Sequence, residues 1–167
     1  MEAATSDRTS AQPVTVVSQP SEFENMATRL FRAPPERVFR LFTDPATAAV
    51  VFSPNPNDVT IEKMDFRKGG RYSIRVKLPD GSTVRFFGEY LEVNPPRRVV
   101  NTFEVSTQPG VVATETDEFE EVGAFTRVTV RWKYPTRRDR DQMSGPEMEA
   151  AVAAMWENAA RMVEGRQ

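Results

Sequence analysis

The chain has 167 residues, of which 39% are hydrophobic and 28% are charged, and its formal net charge is −2. This composition is typical of one globular domain, and the slight acidity argues against a dedicated nucleic-acid-binding protein. No apolar run approaches the roughly 20 residues that a membrane-spanning helix needs, so no membrane insertion is expected. The N-terminus also lacks a basic stretch followed by an apolar core, so a secretory signal is not expected. We therefore expect a cytoplasmic protein.

The chain has no cysteine and no histidine. Without cysteine there are no disulfides, no thiolate nucleophile and no cysteine metal site. Without histidine there is no Ser-His-Asp triad and no imidazole base, and most zinc sites lose their ligands. Any chemistry must use carboxylates, lysine, tyrosine, hydroxyl side chains or bound water. The sequence thus leaves open whether the protein is an enzyme, and we expect neither a metal nor a cofactor.

Composition divides the chain into a tail and a domain. Residues 1–20 are rich in Ser, Thr, Ala, Gln and Pro and show no sustained periodicity, which predicts a flexible tail. The short run Pro13–Val17 offers the alternative of an edge strand. We expect one domain over residues 21–167.

One strand and two short helices are predicted at the start of this domain. A strand over Phe23–Ala33 ends at two prolines, because proline fixes φ and restricts the residue before it. The prolines then open a helix in which Val38, Leu41 and Phe42 recur at the spacing of one helical face. A second short helix is predicted from Asp44 to about Val50.

Alternating residues and turn signals predict six further antiparallel strands, followed by a long helix. The predicted strands are Val59–Phe66, Arg71–Leu78, Ser82–Val93, Val99–Val105, Val111–Glu120 and Phe125–Tyr134. Their alternation leaves one polar face, so the sheet should be covered on one side only. The cover is predicted to be a C-terminal helix that begins at a capping box, Ser144–Glu147. The mixed-charge run Arg137–Asp141 is predicted to be a solvated connection. The fold class is therefore α+β, with a curved antiparallel sheet around a long C-terminal helix.

Several short motifs occur in an order that resembles a known family. They are Phe31–Pro34, Thr43–Pro45, Asp65–Arg71, Gly88–Arg97 and Phe119–Glu121. With the element order, they resemble the START-like (SRPBCC) superfamily, whose fold is the helix-grip. More narrowly, they resemble its branch related to the activator of the heat-shock protein ninety ATPase.

The resemblance spans Phe23–Val163 and implies a deep cavity between the sheet and the long helix, suited to an apolar or amphipathic small molecule. This chain departs from the branch at Ala49–Phe52, where relatives usually carry a pair of tryptophans. Relatives elsewhere in the superfamily include aromatase/cyclases, lipid carriers and hormone receptors.

The residues expected to line such a cavity are mainly apolar or aromatic. They are Phe42, Phe52, Tyr72, Ile74, Phe103, Trp132, Val152, Met155, Trp156 and Ala159. The alternative for these positions is that they only form the packed core. Asn101 shares the parity of Phe103, so it is either a polar contact for a ligand or a structural hydrogen-bonding group.

Two acidic residues, Glu115 and Asp117, share the parity of Phe119. Members of the branch that the chain resembles tend to carry inward-facing apolar residues at this parity, so the resemblance implies that both acids face inward. In a cavity, two carboxyls could act as general acid and base, or could bind a cationic or hydroxylated ligand. Alternatively, this strand is an edge or is bulged and both acids are solvated, because a buried unpaired carboxylate is costly. No residue receives a catalytic role from the sequence alone.

These observations support three hypotheses about function. The first is that the domain binds a small hydrophobic or aromatic molecule. The second is a cyclase- or dehydratase-type enzyme that uses the cavity carboxylates. The third is a module that interacts with a chaperone, as the name of the branch suggests. A homodimer or a protein partner stays open.

Overall fold

The computed structural model describes residues 13–52 and 55–165. Within these ranges the elements, in chain order, are β1 (Val16–Ser21), β2 (Glu24–Phe31), α1 (Pro35–Thr43), α2 (Pro45–Phe52), a 3₁₀ turn (Pro56–Asp58), β3 (Val59–Met64), β4 (Arg71–Lys77), β5 (Thr83–Asn94), β6 (Arg98–Val105), β7 (Ala113–Val122), β8 (Phe125–Lys133), α3 (Arg137–Gln142) and α4 (Pro146–Glu164). Over the same residues, no helix is both long enough and apolar enough to cross a membrane.

The strands form one antiparallel sheet in the order β1-β2-β8-β7-β6-β5-β4-β3. Strands that are consecutive in sequence are neighbours in the sheet, except β2 and β3, and α1 and α2 carry the chain from β2 to the far edge. Buried residues alternate with half-buried ones in β2 and with half-buried or exposed ones in β4, as expected for a sheet covered on one face. The predicted α+β helix-grip architecture is confirmed.

Helix α4 covers the inner face of the sheet. The indole of Trp156 lies with its ring centroid 6.0 Å from that of Phe31 and 6.2 Å from that of Phe42, so one residue joins α4 to β2 and α1. Arg29 on β2 is only 4% exposed and pairs with Glu157 on α4 at 2.8 Å. Aromatic packing and the ion pair of a buried arginine therefore fix the helix against this side of the sheet.

The predicted capping box at the start of α4 is wrong. The helix begins at Pro146 after Gly145, and no side chain caps its N-terminus. The hydroxyl of Ser144 instead lies 3.0 Å from Asn25 Oδ1 and 2.7 Å from the carbonyl oxygen of Arg140. Ser144 thus has tertiary partners that a local motif does not reveal.

The run Arg137–Asp141 is largely exposed, as its charges predict, but it is helical and one of its arginines is buried. It forms most of α3, whose N-terminus is capped by Thr136. Arg140 is 8% exposed and donates from Nη1 to the carbonyl oxygen of Ser21 at 2.8 Å. This arginine therefore ties α3 to the end of β1.

The predicted tail ends earlier than residue 20. β1 pairs with β2 from Val16, so the edge-strand alternative is the better description of this part of the chain. Its physical basis is the free edge of β2, where Val17 packs against the core. Residues 1–12 lie outside the described residues, and the sheet begins before the predicted domain boundary at residue 21.

Candidate functional site

A cavity of about 560 Å³ lies between the inner face of the sheet and helices α1, α2 and α4. Strands β3 to β8 supply its floor, and Phe42, Phe52, Val152 and Trp156 from the helices supply much of its roof. Most lining groups are hydrocarbon. The cavity is therefore largely apolar and is enclosed between the curved sheet and the helices that cover it.

The lining residues that are themselves solvent-exposed show where the cavity opens. They are Asn55, Lys77, Leu78, Pro79 and Ala151. They belong to the segment after α2, the tip of the β4–β5 hairpin and the first turns of α4. The mouth consequently lies among these three segments.

All the sequence-predicted site residues line this cavity except two. Those that line it are Phe42, Phe52, Tyr72, Asn101, Phe103, Glu115, Asp117, Trp132, Val152, Met155 and Trp156. Ile74 and Ala159 do not line it, because both are fully buried in the packed core. Ile74 is flanked by its cross-strand partners Ile61 and Phe86. Ala159 lies one turn beyond Met155, where α4 is packed against its neighbours.

Glu115 and Asp117 lie side by side on the cavity wall. β7 runs between β6 and β8, so the alternative of an edge strand with solvated acids is wrong. Across the strands, Glu115 faces Asn101 on β6 and Trp132 on β8. The indole Nε1 of Trp132 donates to Glu115 Oε2 at 2.5 Å. Register therefore brings two carboxyls, an amide and an indole to one region of the cavity.

A second hydrogen-bond group adjoins the acids. The Tyr72 hydroxyl donates to the carbonyl oxygen of Thr102 at 2.7 Å, and Asn101 Nδ2 donates to the Tyr72 hydroxyl at 3.1 Å and to the same carbonyl at 3.0 Å. Asn101 therefore both lines the cavity and holds a structural hydrogen bond. A Cβ on Gly88, the partner of Tyr72 on β5, would lie 2.0 Å from Thr102 O. Glycine is required there because β5 and β6 approach closely.

The environment of the two acids changes their protonation. Burial raises the pKa of Glu115 from 4.5 to about 7, although the hydrogen bond from Trp132 opposes this shift. Burial, together with the charge of Glu115, raises the pKa of Asp117 well above its usual value. Asp117 Oδ1 is buried and accepts no hydrogen bond from the described residues. A proton shared with Glu115 would satisfy it, so near neutral pH the pair holds at least one proton.

Two further tyrosines near the acid pair line the cavity, although the sequence analysis did not name them as site residues. Tyr90 and Tyr134 line the cavity, and burial followed by the charge of Glu115 raises the pKa of each hydroxyl, which keeps both neutral. Tyr134 continues the alternation of Trp132 on β8, a signal that could have identified it. Tyr90 gave no clear signal, because β5 contains adjacent apolar residues and its register shifts after Tyr90.

Comparison with known proteins agrees with this architecture. The family model described as Activator of Hsp90 ATPase homolog 1-like protein matches residues 32–164. The chain therefore belongs to this family, within the START-like (SRPBCC) superfamily. No curated protein matches the sequence.

Solved structures with the same fold come from several bacteria. A protein from Rhodobacter sphaeroides is 19% identical, with a TM-score of 0.80 over 91% of this chain and 99% of that one. Protein Ms6760 from Mycobacterium smegmatis is 22% identical, with a TM-score of 0.79 over 93% and 100% of the two chains. DynU16, a protein of the dynemicin biosynthetic locus, is 21% identical, with a TM-score of 0.65 over 87% of this chain and 48% of that one. At these identities the likeness shows the fold alone.

Proposed function

We propose that this protein binds a small, largely apolar molecule in the cavity between the sheet and α4. The observation that carries the proposal is the cavity itself, with about 560 Å³ of space behind a defined mouth. Ligand pockets commonly measure about 300–1,000 Å³ and combine apolar walls with a few polar groups, as this one does. Protein interiors are otherwise close-packed, so a void of this size is unusual in a domain that only has to fold.

The matched residues Ala151 and Ala150 allow a direct test. Both are exposed on the same turn of α4, but only Ala151 lines the cavity. The probe is N-phenyl-1-naphthylamine, a neutral molecule whose fluorescence rises in apolar surroundings. We expect Ala151→Phe to weaken binding about tenfold or more, since about 1.4 kcal/mol of lost contact is sufficient. Ala150→Phe should bind like the wild type. Equal affinity in both variants, or no binding by the wild type, would contradict the proposal.

Acid–base catalysis is a second candidate, and one observation favours it. Glu115 has a pKa of about 7 beside a second carboxyl inside the cavity, and a group with that pKa both gives and takes protons near neutral pH. The similar fold of DynU16, from a biosynthetic locus, is compatible with a cyclase-type role.

The test of catalysis uses compounds that displace the fluorescent probe. Each is incubated with the wild type and with Glu115→Gln/Asp117→Asn, and products are sought by mass spectrometry. An enzyme should convert a compound in the wild type and lose turnover in the variant, while the affinity for the probe stays largely intact. Conversion at the same rate by the variant would exclude these carboxyls as the catalytic groups.

The chaperone-interacting hypothesis draws on the family name rather than on a feature of this chain. Large apolar side chains that are exposed come from separate parts of the chain, including Phe23, Leu78, Leu91 and Met162. A binding surface would instead be expected to gather such residues in one patch. A cytoplasmic location and a homodimer or protein partner stay predictions.

A further inference from the structure

We propose that the ligand carries a hydrogen-bond-donating head group on its apolar body, with a protonated amine bound most tightly and a carboxylate disfavoured. This inference rests on the proposed ligand-binding function and adds the chemical class of the ligand. It follows from the charge inside the cavity, from the uncharged groups around that charge, and from a buried carboxyl oxygen of Asp117 that accepts no hydrogen bond from another described donor.

The interior of the cavity carries acidic groups and no described basic group. Its charged lining residues are Asp58, Lys77, Glu115 and Asp117. Lys77 is exposed on the hairpin at the mouth, away from the two acids on β7. Arg29 is buried but does not line the cavity, and Glu157 already neutralises it at 2.8 Å. Any negative charge on the acid pair is therefore uncompensated within the cavity.

Among the described residues, the groups that face the acid pair from the surrounding elements are uncharged. They are Tyr72 from β4, Tyr90 from β5, Asn101 from β6, Trp132 from β8, and Tyr134 just after β8. Helix α4 faces the cavity with apolar side chains, among them Val152 and Met155. The environment around the carboxyls is therefore apolar, and an ionic interaction there is screened far less than in water.

One buried polar atom at the cavity has no donor among the described residues other than the acid beside it. Asp117 Oδ1 accepts no hydrogen bond from them, apart from the proton that it can share with Glu115. Tyr90 also lines the cavity with its side chain 6% exposed, and burial followed by the charges of the two acids raises its pKa, so its hydroxyl stays neutral. A protonated amine supplies three donors and a compensating charge, and a hydroxyl supplies one donor without a charge. A carboxylate would place a second negative charge beside the first and pay for its own desolvation.

The experiment compares four molecules that share one aromatic body. They are 1-naphthylmethylamine, 1-naphthylmethanol, 1-naphthylacetate and 1-methylnaphthalene, titrated by calorimetry at pH 8. We expect the amine to bind tightest, the alcohol next and the carboxylate about tenfold or more weaker than the amine, in line with the effect of close charge pairs on affinity. At pH 6 the acid pair takes up a further proton, so the advantage of the amine over the alcohol should shrink.

The variant Glu115→Gln/Asp117→Asn serves as the matched control because it keeps the shape and removes the charge. In this variant the amine should lose its advantage over both the alcohol and 1-methylnaphthalene. If the variant folds poorly, the comparison of amine and alcohol binding to the wild type at pH 8 and pH 6 tests the inference by itself. A carboxylate that binds the wild type as tightly as the amine would overturn the inference but leave the proposed function standing. Failure of all four molecules to bind would overturn the proposed function and this inference with it.

Discussion

Glu115 and Asp117 show what a sequence reveals at the scale of a residue. Their parity with Phe119 predicts which face of the strand they occupy, and the structure places both on the cavity wall. Parity does not indicate whether the strand is central, because that depends on pairing with β6 and β8. The free-energy cost of burying carboxyls favoured a solvated position for both acids. In the structure, the hydrogen bond from Trp132 and a shared proton reduce that cost.

The acid pair should make stability depend on pH. The pKa values of both acids are raised in the folded state. The contribution of the pair to folding stability is therefore fully present below the pKa values of the unfolded chain, near 4, and is lost as the pH rises through about 7. Replacing both acids by Glu115→Gln/Asp117→Asn removes this dependence.

The measurement is urea unfolding at pH 5 and pH 8. Between these values, the free energy of unfolding of the wild type should fall relative to the variant by about 2–3 kcal/mol. A gap between the two proteins that is the same at both pH values would show that the pair is not buried as described.

Gly88 is required by a close approach of two strands. A methyl group there would meet Thr102 O, so we expect Gly88→Ala to cost about 1–3 kcal/mol through overpacking. The exposed change Thr83→Ala on the same strand should stay within about 0.5 kcal/mol. Chemical denaturation of both variants is the measurement. A Gly88→Ala protein as stable as the wild type would show that β5 and β6 can separate at no cost.

At the scale of the element, local sequence signals predicted which helices and strands form better than they predicted which partners these elements contact. Alternation in β4 and β8 and the prolines before α1 are local, and these elements form as predicted. The supposed cap at Ser144 failed because its hydroxyl instead contacts Asn25 on β2 and the carbonyl oxygen of Arg140, four residues earlier. β1 appeared only as an alternative, since an edge strand gains its stability from the neighbour it pairs with.

The contribution of β1 can be measured by truncation. A chain that begins at residue 13 keeps this strand, whereas one that begins at residue 22 loses it together with the Arg140 hydrogen bond to Ser21. We expect the shorter chain to be less stable by about 1–3 kcal/mol, since several hydrogen bonds of about 1 kcal/mol each are lost. Thermal unfolding at one pH compares the two. Equal melting temperatures would support the original expectation of a tail to residue 20.

At the scale of the whole molecule, the fold and most cavity residues could be predicted, but the boundary between core and cavity could not. Ile74 and Ala159 share the faces of true lining residues, yet neighbouring side chains enclose them completely. Ala151 lines the mouth although it gave no signal in the sequence. A cavity is the space that many packed side chains leave between them. Which residues border it therefore depends on small differences in side-chain position that a sequence pattern does not resolve.

The central claim is that an apolar molecule occupies this cavity, and methyl NMR on the methionines tests it most directly. Met64, Met143, Met148 and Met155 line the cavity, whereas Met26 and Met162 do not. On titration with 1-methylnaphthalene, we predict that the methyl resonances of the four lining residues shift and show contacts to the ring, while those of Met26 and Met162 stay unchanged. Shifts confined to Met26 or Met162, or no shift at any methionine up to saturation of the solution, would contradict the account.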